Sequence, residues 1–277
     1  MTEDLLQPGV AVVVPAYNVE DYITDALESL MQDPVRAVVV ADDGSTDATC
    51  DRVRGFLLDQ DSDRRVNLLR CSGHHNQYRA KNTAFPPFAL PYQYIGFLDA
   101  DDIATPDRFA RQVAALQADP DLIAVGGMCR NIDEAGNPIG DEIAWPLDED
   151  PLIKGQRQFG IGLWNATALY RNEVFRWLGS FDYTSAMGDT EWFMRLVFAA
   201  LLRGKKLRNL KDGPVIHRRI RRQQVSVEGH NRSLDIERTA YERLLKARFD
   251  YYRAMYLSDQ LRMEHLHRAN EGNPRTL

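Results

Sequence analysis

Three apolar runs in the first hundred residues each stop at a polar or acidic cluster. Residues 10–14 lead into Pro15-Ala16-Tyr17-Asn18, residues 35–40 into Asp42-Asp43-Gly44-Ser45, and residues 94–98 into Asp99-Ala100-Asp101-Asp102. Short β-branched runs of this kind read as strands buried on both faces. The first two are separated by Val19, Tyr22, Ile23, Ala26, Leu27, Leu30 and Met31, which recur at helical spacing. Strands alternating with amphipathic helices require βαβ units, a parallel sheet and right-handed crossovers. Ligands of such sheets sit beyond the C-terminal strand ends, where all three clusters fall.

The same patterning continues along the chain. Asn18 is placed to cap the first helix, and Ser45 or Thr46 the second. Residues 66–70 read as a third strand, and a third helix starts near Tyr78 and stops at Pro86-Pro87. A helix over 107–118, a strand over 123–127, a hairpin around Gly136-Asn137, a strand over 166–170 and a helix over 192–202 follow. From Ser233 an apolar stripe through Leu234, Tyr241, Leu245, Phe249, Tyr252 and Tyr256 predicts one long helix.

Charge is uneven. The chain carries a net charge of −6, yet residues 218–277 hold 13 basic and 8 acidic side chains. An acidic body argues against nucleic acid as a partner. The basic C-terminal segment suits a phosphate, an anionic membrane surface or the protein's own acidic domain. No run reaches the roughly 18 apolar residues of a membrane span. The beginning Met-Thr-Glu-Asp lacks the basic, then apolar, pattern of a secretory signal. Three scattered cysteines, Cys50, Cys71 and Cys129, make neither a zinc cluster nor a disulfide framework. The expectation is a cytoplasmic protein with peripheral contact at the inner face of the membrane.

Asp99, Asp101 and Asp102 repel one another unless a cation or hydrogen bonds compensate. Hard ions such as Mg²⁺ or Mn²⁺ take oxygen ligands and share them with phosphates. An acidic turn at a ligand edge therefore suits a metal–diphosphate complex, and equally a solvated turn with a helix cap. Asp42 through Asp47 has the same two readings: a turn and cap, or a carboxylate that accepts from a nucleobase, with Tyr17 stacked nearby.

Residues 12–18, 39–47 and 94–102, in that order and spacing, closely resemble the family-two inverting glycosyltransferases of the GT-A fold. The stretch from Tyr170-Arg171 through Gly179-Ser180-Phe181-Asp182 to Asp189 and Arg195 resembles them too. The resemblance implies an α/β fold, a mostly parallel sheet flanked by helices, with a C-terminal helical extension. It implies a metal-dependent inverting transfer of one sugar from a nucleotide-diphosphosugar, UDP-linked by the family's habit, to a hydroxyl acceptor. By position, Pro15, Ala16, Tyr17 and Asn18 would line the nucleobase pocket, and Asp43 would accept from the base. Lys81 would stand where the family has arginine. Asp99, with Ala100 beside it, would lie near ribose and sugar, and Asp101 would coordinate Mn²⁺ or Mg²⁺. Asp99 and His217 would complete the metal's protein ligands, and Asp189 would be the catalytic base.

Two departures stand out: Gly188 precedes the base where the family commonly has an acid, which leaves Glu191 as a competing base, and Lys81 replaces the planar arginine. Arg218, Arg219, Arg221 and Arg222 suit a lid over the diphosphate or a clamp on an acidic face. Trp164-Asn165 is the candidate acceptor platform. The implied domains are 1–225 for the transferase, split into a donor half (1–105) and an acceptor half (106–225), and 226–277 for the helical extension, which offers a homodimer seam. Two other readings remain: a non-catalytic nucleotide-sugar-binding or assembly protein, and a sugar nucleotidyltransferase. The latter lacks its Gly-rich loop after the first strand.

Overall fold

The computed structural model describes residues 6–61, 63–73, 76–84, 89, 91–144, 162–182, 188–221 and 254. Strands β1 (Gln7–Ala16), β2 (Val35–Asp42), β3 (Val66–Arg70) and β4 (Tyr92–Phe97) form the parallel half of one sheet. Strands β5 (Ile103–Ala104), β6 (Leu122–Ile132), β7 (Pro138–Ile143), β8 (Leu169–Arg171) and β9 (Lys206–Arg219) extend it. The order is β3-β2-β1-β4-β8-β6-β9-β5, with β7 paired to β6. The extension is mixed: β8 runs antiparallel to both β4 and β6, whereas β6 and β9 are parallel.

Side-chain alternation along the central strands divides the core in two. Val10, Val12, Val14, Val38 and Val40 face helices α1 (Ile23–Ser29), α2 (Thr49–Asp59) and α4 (Arg108–Ala118). Ala11, Val13, Val39 and Ala41 face α3 (Gln77–Ala84), α5 (Glu173–Leu178) and α6 (Gly188–Leu201). Placing α3 and α6 on the same face brings residues over a hundred positions apart to one edge of the sheet. That is the structural basis of the site.

Several boundaries differ from the sequence reading. Strand β1 runs through Pro15, and β2 continues to Asp42, whose side chain is fully buried. Asn18 does not cap α1, which starts five residues later, at Ile23, behind Tyr22. Its φ is +49°, and its carboxamide oxygen instead accepts from the Thr46 amide at 2.8 Å. Helix α2 likewise starts after Ala48, with Asp47 accepting from the Thr49 amide at 2.9 Å. Residues 165–167 form a 3-10 turn, so β8 is shorter than the strand read at 166–170. The hairpin is present as β6 and β7 around Gly136. The extension expected over 226–277, with its dimer seam, lies outside the described residues apart from residue 254. Among the described residues no helix is long and apolar enough to cross a membrane.

Candidate active site

The first wall is built by two loops stitched together at the ends of β1 and β2. Strand pairing sets Ala16 opposite Asp42, and the Asp43 amide donates to the Ala16 carbonyl at 2.8 Å. The Asn18 amide donates to Ser45 Oγ at 3.0 Å, and the Ala48 amide to Glu20 Oε2 at 2.9 Å. Gly44, at φ +84°, makes the turn that permits this. Asp42 spends its carboxylate on the Ser45 amide at 3.2 Å, so it organises the turn. Asp43 is buried behind it, and Tyr17 stands at the rim, 38% exposed. Pro15 and Ala16 are buried beneath that rim.

The second wall is the turn after β4. Arg108 donates to the Phe97 carbonyl at 3.0 Å, and Gln112 donates to the Val125 and Thr167 carbonyls at 2.9 and 2.7 Å. These buried bonds tie the end of β4 to the neighbouring elements and hold Asp99, Ala100, Asp101 and Asp102 in place. Burial pushes the Asp99 carboxyl above the ordinary carboxylate range; Lys81 opposes that, while Asp101 and Asp189 add to it. Asp102 is raised further, by burial and then by Asp99 and Asp101. Its Oδ1 accepts from the Arg219 amide at 2.9 Å, whereas its buried Oδ2 has no hydrogen-bond partner among the described residues.

The third wall is α3 against the N-terminus of α6. Lys81 is 3% exposed, and its Nζ donates to Gln77 Oε1 at 2.9 Å. The ammonium lies over three rings, 5.4 Å from the centroid of Tyr78, 5.5 Å from Phe97 and 5.9 Å from Phe181. Burial lowers its pKa, and the charges of Asp99 and Asp189 work against that lowering. Asn82 fastens the cage by exchanging two hydrogen bonds, of 2.8 and 2.9 Å, with the Phe181 backbone.

Asp189 sits in the first turn of α6, half-buried, with Oδ1 accepting from the Thr190 amide at 2.8 Å. Trp192 Nε1 donates to the Gly179 carbonyl at 3.3 Å and Arg195 Nη2 to the Ser180 carbonyl at 2.8 Å, which anchors this helix end. Glu191 is committed elsewhere: it is buried, and both carboxylate oxygens accept from Arg195 Nε, at 2.9 and 3.0 Å.

Asp99, Asp101, Lys81 and Asp189 thus share one electrostatic neighbourhood. His217 does not join it. Alternation along β9 sends neighbouring side chains to opposite faces, and His217 lies beside Arg130 and Glu142. Burial, then Arg130, lowers its pKa. It is Arg218 that acts on Asp99 and Asp102, with its guanidinium 5.3 Å from the Trp164 ring centroid. His217 is the residue expected as a third metal ligand, and the structure sets it beside Arg130 and Glu142. Among the described residues, no three His, Cys, Asp or Glu side chains are grouped to hold an ion.

The arginine segment holds the acidic edge of its own domain. Arg219 is buried, donating to the Asp101 carbonyl and to Asp25 Oδ2, both at 3.0 Å. Arg221 Nε lies 2.6 Å from Asp101 Oδ2, and both guanidinium groups stack on Tyr22. Trp164 is partly buried under Arg218, and Asn165 accepts from the Tyr170 hydroxyl at 3.0 Å. Residue 222, like His74, His75 and Trp145, lies outside the described residues.

Carboxylates and arginines gathered beyond the ends of a parallel half-sheet, with a second acid presented by a helix from the mixed half, define an α/β domain of the GT-A type. The structure of TarS 1–349 from S. aureus in complex with UDP-GlcNAc superposes with a TM-score of 0.58, at 20% identity, over 78% of this chain and 60% of that one. The mannosyltransferase PcManGT from Pyrobaculum calidifontis, in complex with GDP-Man and Mn²⁺, gives a TM-score of 0.53 at 22% identity, covering 75% of this chain and 57% of that one. In sequence, chondroitin synthase from Escherichia coli is 29% identical over 175 residues, 60% of this chain but 25% of that enzyme's length. Residues 11–179 match the family model of glycosyl transferase family 2, and the chain belongs to that family.

Proposed function

We propose that the protein is an inverting glycosyltransferase that moves one sugar from a nucleotide-diphosphosugar to a hydroxyl acceptor. The observation that carries this reading is the meeting of Asp99 and Asp101, at the end of β4, with Asp189 at the start of α6. One acidic site lies where a diphosphate would leave, and the other is free to take a proton. In-line displacement needs that separation: charge must be neutralised on the leaving group while a hydroxyl is deprotonated on the other side. The commitment of Glu191 to Arg195 supports Asp189 as the base.

Donor recognition fits the first wall. Tyr17 at the rim offers a ring for a nucleobase above Ala16, and Asp43 offers a carboxylate to its N–H groups. Pro15 and Asn18 shape the loop that carries them. TarS and PcManGT were each solved with a nucleotide sugar, one uridine-linked and one guanosine-linked. A UDP-sugar is our reading for this chain.

The donor set fits a hard divalent cation. The carboxyls of Asp99 and Asp102 are pushed up first by burial and then by neighbouring acids, and with Asp102 Oδ2 unpartnered among the described residues they leave a place that an ion would suit. Asp99 and Asp101 would hold Mn²⁺ or Mg²⁺, which when bound supplies neutralisation of the leaving diphosphate. Asp101 must first leave Arg221, which becomes available to the diphosphate oxygens.

The test is a thermal-shift screen of nucleotide sugars with and without Mn²⁺, followed by nucleotide-release assays on the best donor. One donor should raise the midpoint selectively by mass action, and nucleotide should be released when a hydroxyl acceptor is added. Binding without release against a broad acceptor panel would instead favour the non-catalytic reading.

A further inference from the structure

The arginines at the end of β9 divide between two directions. Arg219 donates to the carbonyls of Asp101 and Glu134 and to Asp25, Arg221 pairs with Asp101, and both lie over Tyr22, just ahead of α1. Arg218 turns the other way, as the pleat requires of the residue before Arg219. Its guanidinium lies 5.3 Å from the ring centroid of Trp164, in the turn that precedes β8. Arg218 is half-buried, and among the described residues it makes no hydrogen bond or ion pair.

Both halves of this platform are fixed. Arg218 pairs with Asn131 of β6, and His217 pairs with Ile103 of β5. Continuing that antiparallel register sets Arg218 opposite Asp102, and the Arg219 amide donates to Asp102 Oδ1 at 2.9 Å. The Trp164 carbonyl accepts from the Thr167 amide at 2.9 Å and from the Thr167 hydroxyl at 2.8 Å. Asn209, on β9 itself, donates to the Gly162 carbonyl at 2.6 Å, which ties the segment carrying Trp164 to the strand carrying Arg218.

A guanidinium holds its N–H donors in one plane. Contact with an aromatic ring uses the face of that plane and leaves the edge, whose fork matches two oxygens of a carboxylate or phosphate. Holding the charge partly out of water with no protein acceptor is costly, and an arriving anion removes that cost. In the reading above the diphosphate lies with Asp101 and Arg221, roughly 10 Å away for three extended residues. Trp164, like Asp189, comes from the part of the chain beyond β4, the side on which the acceptor is deprotonated.

We propose that Arg218, laid on Trp164, recognises an anionic group, a carboxylate or a phosphate, on the hydroxyl acceptor. This deepens the transferase reading and rests on it. Uronic acids and phosphorylated sugars are the two sources of such a group.

The experiment is calorimetric titration of the whole protein, saturated with Mg²⁺ and the nucleoside diphosphate of the donor found in the screen. The probes are glucuronate, glucose 6-phosphate and glucose, and filling the diphosphate position keeps the charged probes out of it. At least one charged probe should bind about ten- to a hundredfold more tightly than glucose, the equivalent of hydrogen bonding to a charged group, and the tighter of the two identifies the source. Arg218→Gln should erase that difference, while nucleotide affinity and the melting midpoint stay near wild type. Three results overturn the proposal: glucose bound as tightly as either charged probe, a charge preference that survives in Arg218→Gln, or a loss of nucleotide affinity in that variant. Each of these leaves the transferase reading standing. A protein that no nucleotide stabilises overturns the transferase reading, and the acceptor assignment with it.

Discussion

Arg221 Nε lies 2.6 Å from Asp101 Oδ2, so the segment after β9 closes onto the carboxylate proposed above as a cation ligand. The arginine side chain is 21% exposed and the aspartate 9%, which makes this a partly desolvated pair. A cation entering the cluster competes with the guanidinium for that oxygen. Arg221→Gln should therefore tighten Mn²⁺ binding to the nucleotide-free protein about fivefold, the scale of one partly exposed ion pair. Free Mn²⁺ followed by electron paramagnetic resonance measures it, and weaker binding in the variant would contradict the competition.

Asp189→Asn should leave donor binding intact and lower turnover roughly 10²–10⁴-fold, the usual range for loss of a general base. Glu191→Gln should behave differently. It leaves Arg195 without its charged partner, so the expected effect is about 2 kcal/mol of lost stability, since the arginine is partly solvated. Urea denaturation of Glu191→Gln alongside turnover of both variants separates the two roles. A catalytic collapse confined to Glu191→Gln would exchange them.

Two glycine-to-alanine changes should have opposite signs. Gly188→Ala forces a methyl to within 2.1 Å of the Asp182 carbonyl oxygen and should cost about 1–3 kcal/mol. Gly55, inside α2, has nothing within 4 Å of a built Cβ, so Gly55→Ala should add about 0.5–1 kcal/mol through helix propensity. Chemical denaturation midpoints of the pair provide the comparison.

Thiol chemistry should be selective. Burial, then Asp42, pushes the Cys50 thiol up to about 11, and burial, then Asp102 against Arg218, does the same for Cys129. At pH 8 each is about 0.1% thiolate, and both are buried, so neither should react quickly. Cys71 is half-buried, and its thiol is also raised, chiefly by burial. A thiol-exchange reagent at pH 8 should therefore modify Cys71 first and the other two only on unfolding. Prompt reaction of all three would contradict the packing.

The parallel half of the sheet was legible because its signals are local. A β-branched run followed by a turn cluster reads as a strand wherever it lies, and the 66–70 strand was placed to the residue. Helix starts were harder to read. Asn18 and Ser45 have the chemistry of caps, but each found a better partner across the loop pair, where Asn18 N meets Ser45 Oγ.

What the amino-acid order determined by itself was the strand–helix alternation, the clustering of acids at strand ends and the family to which those motifs belong. Tertiary structure alone decided which acids meet, that Lys81 is caged by three rings, that Glu191 is spent on Arg195, and that Gly188 packs against the Tyr78 ring. Periodicity and turn chemistry depend on residues a few positions apart and survive as patterns along the chain. The neighbourhood of a side chain depends on how two helices pack on one face of a sheet, and on whether a glycine leaves them room.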